Sequence, residues 1–220
     1  MIWTVTNLKP GTAKTTSAVW LAHAMHETGK RVLLVDADPG GAASKYGSEA
    51  FDGMGSASRW NARAVFPFDV IDGASRDLHK ILPRVSVDYD LTVVDSPPIE
   101  DHQGIAVSAL RIADIAVIPV APTTAEIDRM APVLAVLADI EPLRAEPLTS
   151  CVLLNRAVAN ASSTGEAAEV LTGQGYHLLN TRIPRLEMYA QSHGAPVLAA
   201  GTAYADAAAE ILALMTGVTA

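Results

Sequence analysis

The sequence predicts an α/β protein in which a mostly parallel central sheet is flanked by helices in three layers. Continuous aliphatic and β-branched runs recur along the chain, and such runs are typical of strands covered on both faces. Segments with apolar residues at helical spacing separate these runs. Several runs end in small or acidic residues, as expected where parallel strands deliver side chains to one edge of a sheet. The predicted strands cover residues 1–7, 32–35, 68–72, 91–94, 115–120, 149–154 and 176–179.

Length and composition bound the possible classes of protein. The 220 residues fit one α/β domain spanning residues 1–220, and half of them are apolar, which excludes a disordered chain. No apolar run reaches the roughly 18 residues that a membrane span needs, and the first four residues lack the basic start of a signal peptide. We therefore expect a cytoplasmic protein with no membrane partner. A formal net charge of −8 argues against a protein that coats nucleic acid through a generally basic surface.

Cysteine and histidine do not form a recognisable metal site in the sequence. Cys151 is the only cysteine, which excludes an internal disulfide and a cysteine cluster, and its apolar neighbours place it in a buried strand. The six histidines show no ligand triad. His23 and His26 lie three residues apart in the first predicted helix, where we expect surface or packing roles rather than metal binding.

The rest of the chain is organised around residues 8–16, Leu-Lys-Pro-Gly-Thr-Ala-Lys-Thr-Thr. This stretch lies between the first predicted strand and a helix predicted over residues 15–28. A strand that breaks into a small-residue loop and re-enters a helix points backbone N–H groups and the positive helix end at one spot, which suits a polyphosphate. Lys14 would reach the outer phosphates, and the hydroxyl of Thr15 would complete the shell of a bound Mg²⁺.

The loop departs from the plain phosphate-loop pattern G-x-x-x-x-G-K-[ST], because Leu8 and Ala13 stand where its two glycines would be. It resembles instead the deviant Walker A motif, x-K-G-G-x-x-K-[ST], of the ParA/MinD class of P-loop ATPases. In that class the first lysine crosses a dimer interface to touch the nucleotide of the other subunit, and Lys9 occupies this position. Pro10 replaces a glycine and removes a backbone donor, and Ala13 lacks the freedom of glycine to adopt a positive φ. The resemblance implies that ATP is bound by Pro10, Gly11, Thr12, Ala13, Lys14, Thr15 and Thr16.

Two further predicted strands end in acidic residues. Asp36 and Asp38 follow the second strand, and Asp95 precedes Ser-Pro-Pro at the end of the fourth. Mg²⁺ prefers carboxylates and phosphate oxygens, and the carboxyl edge of a parallel sheet is where such ligands bind. An isolated D-x-D would be interpreted as a strand cap that opens a turn. The resemblance implies that Asp38 positions the attacking water, that Asp36 lies nearer the metal, and that Asp95 holds Mg²⁺ through water.

Other segments carry weaker expectations. Residues 40–67 are predicted to form an irregular helix and loop, which could move with nucleotide state or could be a surface insertion. Helices are predicted over residues 74–87, with Pro83 limiting or kinking the element, and over residues 122–140. Asn155 ends a predicted strand. The resemblance implies that it hydrogen-bonds adenine, whereas the alternative is a strand-end asparagine in a turn.

The resemblance implies an ATP-dependent switch that needs ATP and Mg²⁺ and acts in plasmid or chromosome partition or in cargo positioning. ATP would join two copies as a homodimer, and the dimer would bind non-specific DNA until a ParB-like or other adaptor protein releases it. Lys9, Lys14 and Asp38 are the predicted catalytic residues. Positioning and charge neutralisation carry phosphoryl transfer, so no covalent nucleophile is required.

Charge limits the expected DNA surface. After Arg156 the sequence contains only two basic residues, Arg182 and Arg185. Non-specific affinity for DNA grows with the number of phosphates neutralised. We therefore expect this surface to bind DNA weakly unless Arg156, Lys80 or Arg84 contributes to it.

Four other functions compete with the partition switch. A MinD-like membrane switch needs a basic amphipathic C-terminal helix, but residues 204–220 contain no Lys or Arg. A nitrogenase-reductase-like electron carrier is excluded by the single cysteine. A P-loop metabolic ligase of the dethiobiotin-synthetase kind and a nucleotide-binding scaffold with little hydrolysis remain as alternatives.

Overall fold

The computed structural model describes residues 1–40, 53–159 and 161–217. Within these ranges six parallel strands form one sheet in the order β3-β2-β4-β1-β5-β6. The strands are β1 (Ile2–Val5), β2 (Val32–Asp36), β3 (Asp69–Asp72), β4 (Leu91–Asp95), β5 (Ile115–Val120) and β6 (Thr149–Leu154). The helices are α1 (Lys14–Glu27), α2 (Ser56–Ala64), α3 (Leu78–Val85), α4 (Ile99–Leu110), α5 (Thr124–Ile127), α6 (Met130–Ile140), α7 (Ser162–Gly173), α8 (Glu187–Ala190) and α9 (Ala203–Thr216).

Helices cover both faces of the sheet. Successive strand residues point to opposite faces, so one set of apolar strand residues packs with α1, α2 and α9. The other set packs with α3, α4, α6 and α7. This arrangement confirms the predicted three-layer α/β fold and explains why the inner strands are apolar at nearly every position.

The strand order places the loop after β1 at the centre of the carboxyl edge. β1 pairs with both β4 and β5, and the register puts Val5 opposite Asp95. In the β2–β4 pair, Asp36 lies opposite Asp95. The sheet therefore brings the phosphate-loop stretch and both strand-end aspartates to one place, as the sequence predicted.

The predicted continuous helix over residues 122–140 is wrong. The chain forms α5, leaves helical geometry at Arg129 (φ −90°, ψ 1°), and begins again as α6. Pro132 explains the break, because its ring would clash with the carbonyl of residue 128 and it has no N–H to donate. In the first turn of the separate helix α6 the same proline is tolerated.

Three other segments differ from expectation. The helix predicted over residues 74–87 is shortened to α3, with Pro83 inside it. Residues 176–179 form no strand and make one isolated bridge, between Leu178 and Val152. In the 40–67 segment the structure contains α2, whereas residues 41–52 lie outside the described residues. His23 has a packing role, with its ring 5.0 Å from that of Phe66.

Among the described residues, no helix has the length and apolar character needed to cross a bilayer.

Candidate functional site

The loop after β1 turns sharply through two residues with left-handed backbone. Gly11 has φ 77° and Ala13 has φ 66°. Glycine adopts this conformation freely, whereas alanine is strained there because of its Cβ atom. The carbonyl of Ala13 accepts a hydrogen bond from the N–H of Ser17 at 2.9 Å, which closes the first turn of α1. The departure from glycine noted in the sequence therefore coincides with real backbone strain.

Lys14 lies inside this loop. Its side chain is buried, and its Nζ donates to the carbonyl oxygen of Lys9 at 2.8 Å. Burial lowers the pKa of Lys14, whereas nearby carboxylates oppose that change. In order of effect these are Asp95, Asp38, Asp101 and Glu126. The surrounding carboxylates thus stabilise the charged form of Lys14, but burial has the larger effect on its pKa.

Lys9 lies at the rim of the site. Its Nζ is 3.8 Å from a carboxylate oxygen of Glu100 near the start of α4, and both side chains are 38% exposed. A half-exposed ion pair at this distance contributes about 0–1 kcal/mol. The ammonium is therefore held loosely and can exchange its partner.

Asp95 is a buried carboxylate to which no described residue donates a hydrogen bond of full geometry. It is 1% exposed, and neither of its oxygens has a hydrogen-bond partner among the described residues. Burial raises its pKa well above the usual range, and the negative charge of Asp36 adds to the rise. The Thr15 hydroxyl, which lies close to the carboxylate without reaching the geometry of a full hydrogen bond, and the charge of Lys14 partly offset it. Two buried oxygens without a hydrogen-bond donor, close to a threonine hydroxyl, fit a divalent cation.

Asp36 is equally buried but fully engaged. Its carboxylate accepts the N–H of Ser58 at 2.7 Å and the N–H of Asp38 at 3.2 Å. Burial raises its pKa to about 6 in spite of these bonds. Asp38 is half-buried, and its carboxylate accepts the N–H of Gly40 at 3.2 Å. The predicted metal role of Asp36 and the predicted water-positioning role of Asp38 stay predictions.

Asn155 lies at the same edge of the sheet, after β6. Its side-chain amide donates to the hydroxyls of Ser17 and Tyr204, at 3.2 and 3.0 Å. Its predicted contact with adenine stays a prediction, as do the phosphate contacts of Pro10, Gly11, Thr12, Ala13, Thr15 and Thr16.

The structure adds residues that the sequence analysis did not select. Glu100 and Asp101 follow directly after the Asp95 strand and its two prolines, so their position at the same edge could have identified them. Ser58 and Tyr204 carry no local signal, since they reach the site from distant parts of the chain.

No group of three or more His, Cys, Asp or Glu side chains could hold a metal ion in the part of the chain that the structure describes. A cation at Asp95 would therefore need further oxygen ligands from a bound molecule. This is the pattern expected for Mg²⁺ that arrives with phosphate groups.

Comparison with known proteins identifies a matching family. Residues 3–197 match the CobQ/CobB/MinD/ParA nucleotide binding domain. Over 120 residues the chain is 39% identical to the maintenance of carboxysome distribution protein A of Gloeobacter kilaueensis, and this alignment covers 54% of the chain and 48% of that protein. The chain therefore matches about half the length of this relative.

Solved structures agree on the fold. The cobyrinic acid a,c-diamide synthase of Mycobacterium smegmatis with ADP and magnesium has a TM-score of 0.70 and 22% identity, over 99% of this chain and 96% of that chain. A McdA variant of Cyanothece in complex with ATP has a TM-score of 0.70 and 18% identity, over 100% and 97%. MinD of Pyrococcus horikoshii with Mg-ADP has a TM-score of 0.69 and 20% identity, over 99% and 98%.

Proposed function

The chain belongs to the CobQ/CobB/MinD/ParA family of nucleotide-binding domains, and we propose that it is an ATPase of the ParA type that dimerises when it binds ATP and Mg²⁺. The position and exposure of Lys9 are the main support for this proposal. Lys9 lies at the rim of the loop, its side chain is 38% exposed, and within the described part of the chain its ammonium has one ion pair, a long one to Glu100. A phosphate group of a second molecule can replace that carboxylate at little cost.

The proposed nucleotide site uses the loop and the acidic strand ends. Backbone N–H groups of residues 11–16 and the ammonium of Lys14 would bind the phosphates. Thr15 and Asp95 would hold Mg²⁺, with Asp36 nearby, and the ion would neutralise charge on the phosphates. Asp38 would hold the attacking water. The acidic surrounding of Lys14 supports a complex of ATP with Mg²⁺ over free ATP, because the cation offsets repulsion between carboxylates and phosphates.

The proposed biological role is the positioning of cargo in the cytoplasm through a nucleoid-bound dimer and an adaptor protein. The name of the Gloeobacter relative, which refers to carboxysome distribution, supports cargo positioning over plasmid partition. Three exposed arginines support a DNA surface: Arg156, Arg182 and Arg185. The N–H of Arg185 donates to the carbonyl of Ala157 at 2.8 Å, so this segment runs beside the one that carries Arg156.

The dimerisation proposal is tested by light scattering after gel filtration, with a non-hydrolysable ATP analogue and Mg²⁺. We expect a dimer for the unmodified protein and a monomer for Lys9→Ala. Lys30→Ala is the matched control, because Lys30 precedes β2 at the opposite end of the strand and should not affect assembly. A monomer in every sample, or a dimer that forms equally well with Lys9→Ala, would contradict the proposal.

The DNA proposal is tested by fluorescence anisotropy of a random-sequence duplex at low salt with the same analogue. Because each lost phosphate contact lowers the salt dependence of binding, Arg185→Ala should weaken binding and reduce the slope of log K against log salt by about 1 per subunit. No binding by a confirmed dimer would remove the DNA part of the proposal and leave the ATPase switch intact.

A metabolic ligase of the dethiobiotin-synthetase kind is the second candidate, because the family description includes CobQ and CobB as well as MinD and ParA. Such an enzyme would consume ATP only with a carboxylate substrate. Phosphate release by the purified protein with DNA and no added small molecule, lost in Asp38→Ala, supports the switch. Phosphate release that depends on a small carboxylic acid supports the ligase.

A further inference from the structure

A closed ring of hydrogen bonds lies beneath the phosphate loop. Asn155 Nδ2 donates to the hydroxyls of Tyr204 (3.0 Å) and Ser17 (3.2 Å), and these two hydroxyls are 3.1 Å apart. All three side chains are buried. Burying such groups is unfavourable unless they are paired, and here they pair with one another. The ring joins the first turn of α1, the end of β6 and the first turn of α9.

Two members of the hydrogen-bonded ring have further contacts outside the loop, to β5, to α8 and to Trp20 further along α1. The N–H of Asn155 donates to the carbonyl of Val120 at the end of β5, at 2.8 Å. The aromatic side chain of Tyr204 stacks on that of Trp20, with centroids 5.6 Å apart, and meets that of Tyr189 edge-on at 5.1 Å. Asn155 and Tyr204 are thus anchored by the sheet and by an aromatic cluster, and Ser17 is the member that they hold.

Ser17 in turn holds the strained residue of the loop. Its N–H donates to the carbonyl of Ala13 at 2.9 Å, and Ala13 has the left-handed φ of 66°. A non-glycine residue keeps this conformation only where the surrounding structure imposes it. A continuous series of contacts therefore runs from β6 and α9 through Ser17 to Ala13.

We propose that Asn155 and Tyr204 are positioning residues which, through Ser17, hold Ala13 and the phosphate loop in the conformation that binds a triphosphate. They compensate for the glycine that is absent at position 13. The inference rests on the proposed function, since it concerns how this loop takes ATP. It gives Asn155 a role that does not depend on adenine, and the two roles predict different responses to a ligand without a base.

The test measures the affinity of Tyr204→Phe and Asn155→Ala for an ATP analogue with Mg²⁺ and for inorganic tripolyphosphate with Mg²⁺, by isothermal titration calorimetry. Tyr204→Phe keeps the aromatic ring and removes only the hydroxyl. Because one or two hydrogen bonds of the ring are lost, we expect both variants to bind both compounds roughly 3- to 10-fold more weakly. Tyr189→Phe is the matched control, because Tyr189 belongs to the same aromatic cluster but lies outside the ring; its affinities should stay within about twofold.

A rescue experiment separates positioning from general destabilisation. Ala13→Gly removes the need to hold the loop, so the loss caused by Tyr204→Phe should shrink to less than about twofold when both changes are combined. An equal loss with and without Ala13→Gly would overturn the inference. If Asn155→Ala does not fold, the affinities of Tyr204→Phe with and without Ala13→Gly decide whether the inference holds.

The two ligands distinguish the remaining outcomes. Weaker binding of the ATP analogue with unchanged binding of tripolyphosphate would overturn the inference in favour of an adenine contact by Asn155. Unchanged affinities of both variants would also overturn it, while the proposed function would stand. Failure of the unmodified protein to bind either compound would instead overturn the proposed function, and this inference with it.

Discussion

Asp36 and Asp95 lie opposite each other on neighbouring strands and are both 1% exposed, yet their surroundings differ. Asp36 accepts two backbone N–H groups, whereas Asp95 accepts no hydrogen bond from any described residue. Burial alone therefore does not distinguish a carboxylate whose oxygens the protein satisfies from one whose oxygens are left for the proposed ligand. The distinguishing property is whether the protein itself satisfies the buried oxygens.

The partner of Asp36 is the N-terminus of α2. The helix has no capping side chain of its own at Gly55, and the Asp36 carboxylate accepts the N–H of Ser58 in its place. A carboxylate in this position also interacts favourably with the helix dipole. The helix is thus tied directly to the edge of the candidate site, and the following predictions test this difference between the two aspartates.

The largest expected effect is on the pH dependence of the free energy of unfolding without Mg²⁺. Burial raises the pKa of Asp36 from 3.8 to about 6, and that of Asp95 also rises. Because the folded protein holds the proton more tightly than the unfolded chain, this contribution is fully present below pH 4 and is lost as the pH rises through 6. For Asp36 the loss amounts to about 3 kcal/mol. The free energies of unfolding of the unmodified protein and of Asp36→Asn should be measured in urea between pH 4 and 7. The gap between the two free energies should change over this range, and a gap that stays constant would contradict the prediction.

Asp95→Asn should separate ligand binding from stability. Mg²⁺-dependent nucleotide affinity should fall about 100-fold, because the carboxylate that is proposed to hold the ion is lost. The free energy of unfolding without Mg²⁺ should rise at neutral pH, because asparagine removes a buried negative charge that burial and the neighbouring Asp36 disfavour. Calorimetric titration with and without Mg²⁺ measures the first effect. Asp139→Asn, on the exposed side of α6, is the control and should change neither quantity.

Gly55→Ala tests the tight packing on Asp36. An added Cβ would lie 2.3 Å from the Asp36 carboxylate oxygens, which cannot move without losing their two N–H donors. We expect a loss of about 2 kcal/mol in the free energy of unfolding, measured in urea. Gly165→Ala in α7 is the matched control, because its Cβ would meet no atom within 4 Å. For Gly165→Ala the free energy of unfolding should rise by up to about 1 kcal/mol. A change of the same sign in both variants would contradict the proposed packing.

Ser58→Ala should have the smallest effect. It removes the hydrogen bond from Ser58 Oγ to Asp72, which is 2.6 Å long, but keeps the backbone bond to Asp36. The free energy of unfolding should fall by about 1 kcal/mol, with nucleotide affinity unchanged. Ser56→Ala on the same helix is the control and should cost less than about 0.5 kcal/mol. A marked loss of nucleotide affinity in Ser58→Ala would mean that α2 acts on the site more directly than its contacts suggest.

The sequence predicted the parts of the site that are local in the chain. Lys14, Thr15 and Asp95 each follow directly from a strand and its terminal turn, and the parallel sheet brings them together. The docking of α2 on Asp36 was not predictable in this way, since Ser58 is 22 residues away and its contact depends on tertiary packing. The same holds for the pairing of Ser17 with Tyr204, 187 residues apart. The break before α6, by contrast, could have been predicted from Pro132.

The hydrogen bond from Lys14 to the carbonyl of Lys9 links the two lysines of the loop. When an anion binds Lys14, the ammonium loses its hydrogen bond to the carbonyl of Lys9. The net free energy of anion binding is therefore smaller than it would be for an ammonium without a partner. This exchange of partners would leave the Lys9 carbonyl with the longer hydrogen bond from the Thr12 hydroxyl, at 3.4 Å. Under the proposed function, a ligand that binds Lys14 would therefore act directly on the main chain of Lys9, the residue whose side chain is proposed to reach a second copy.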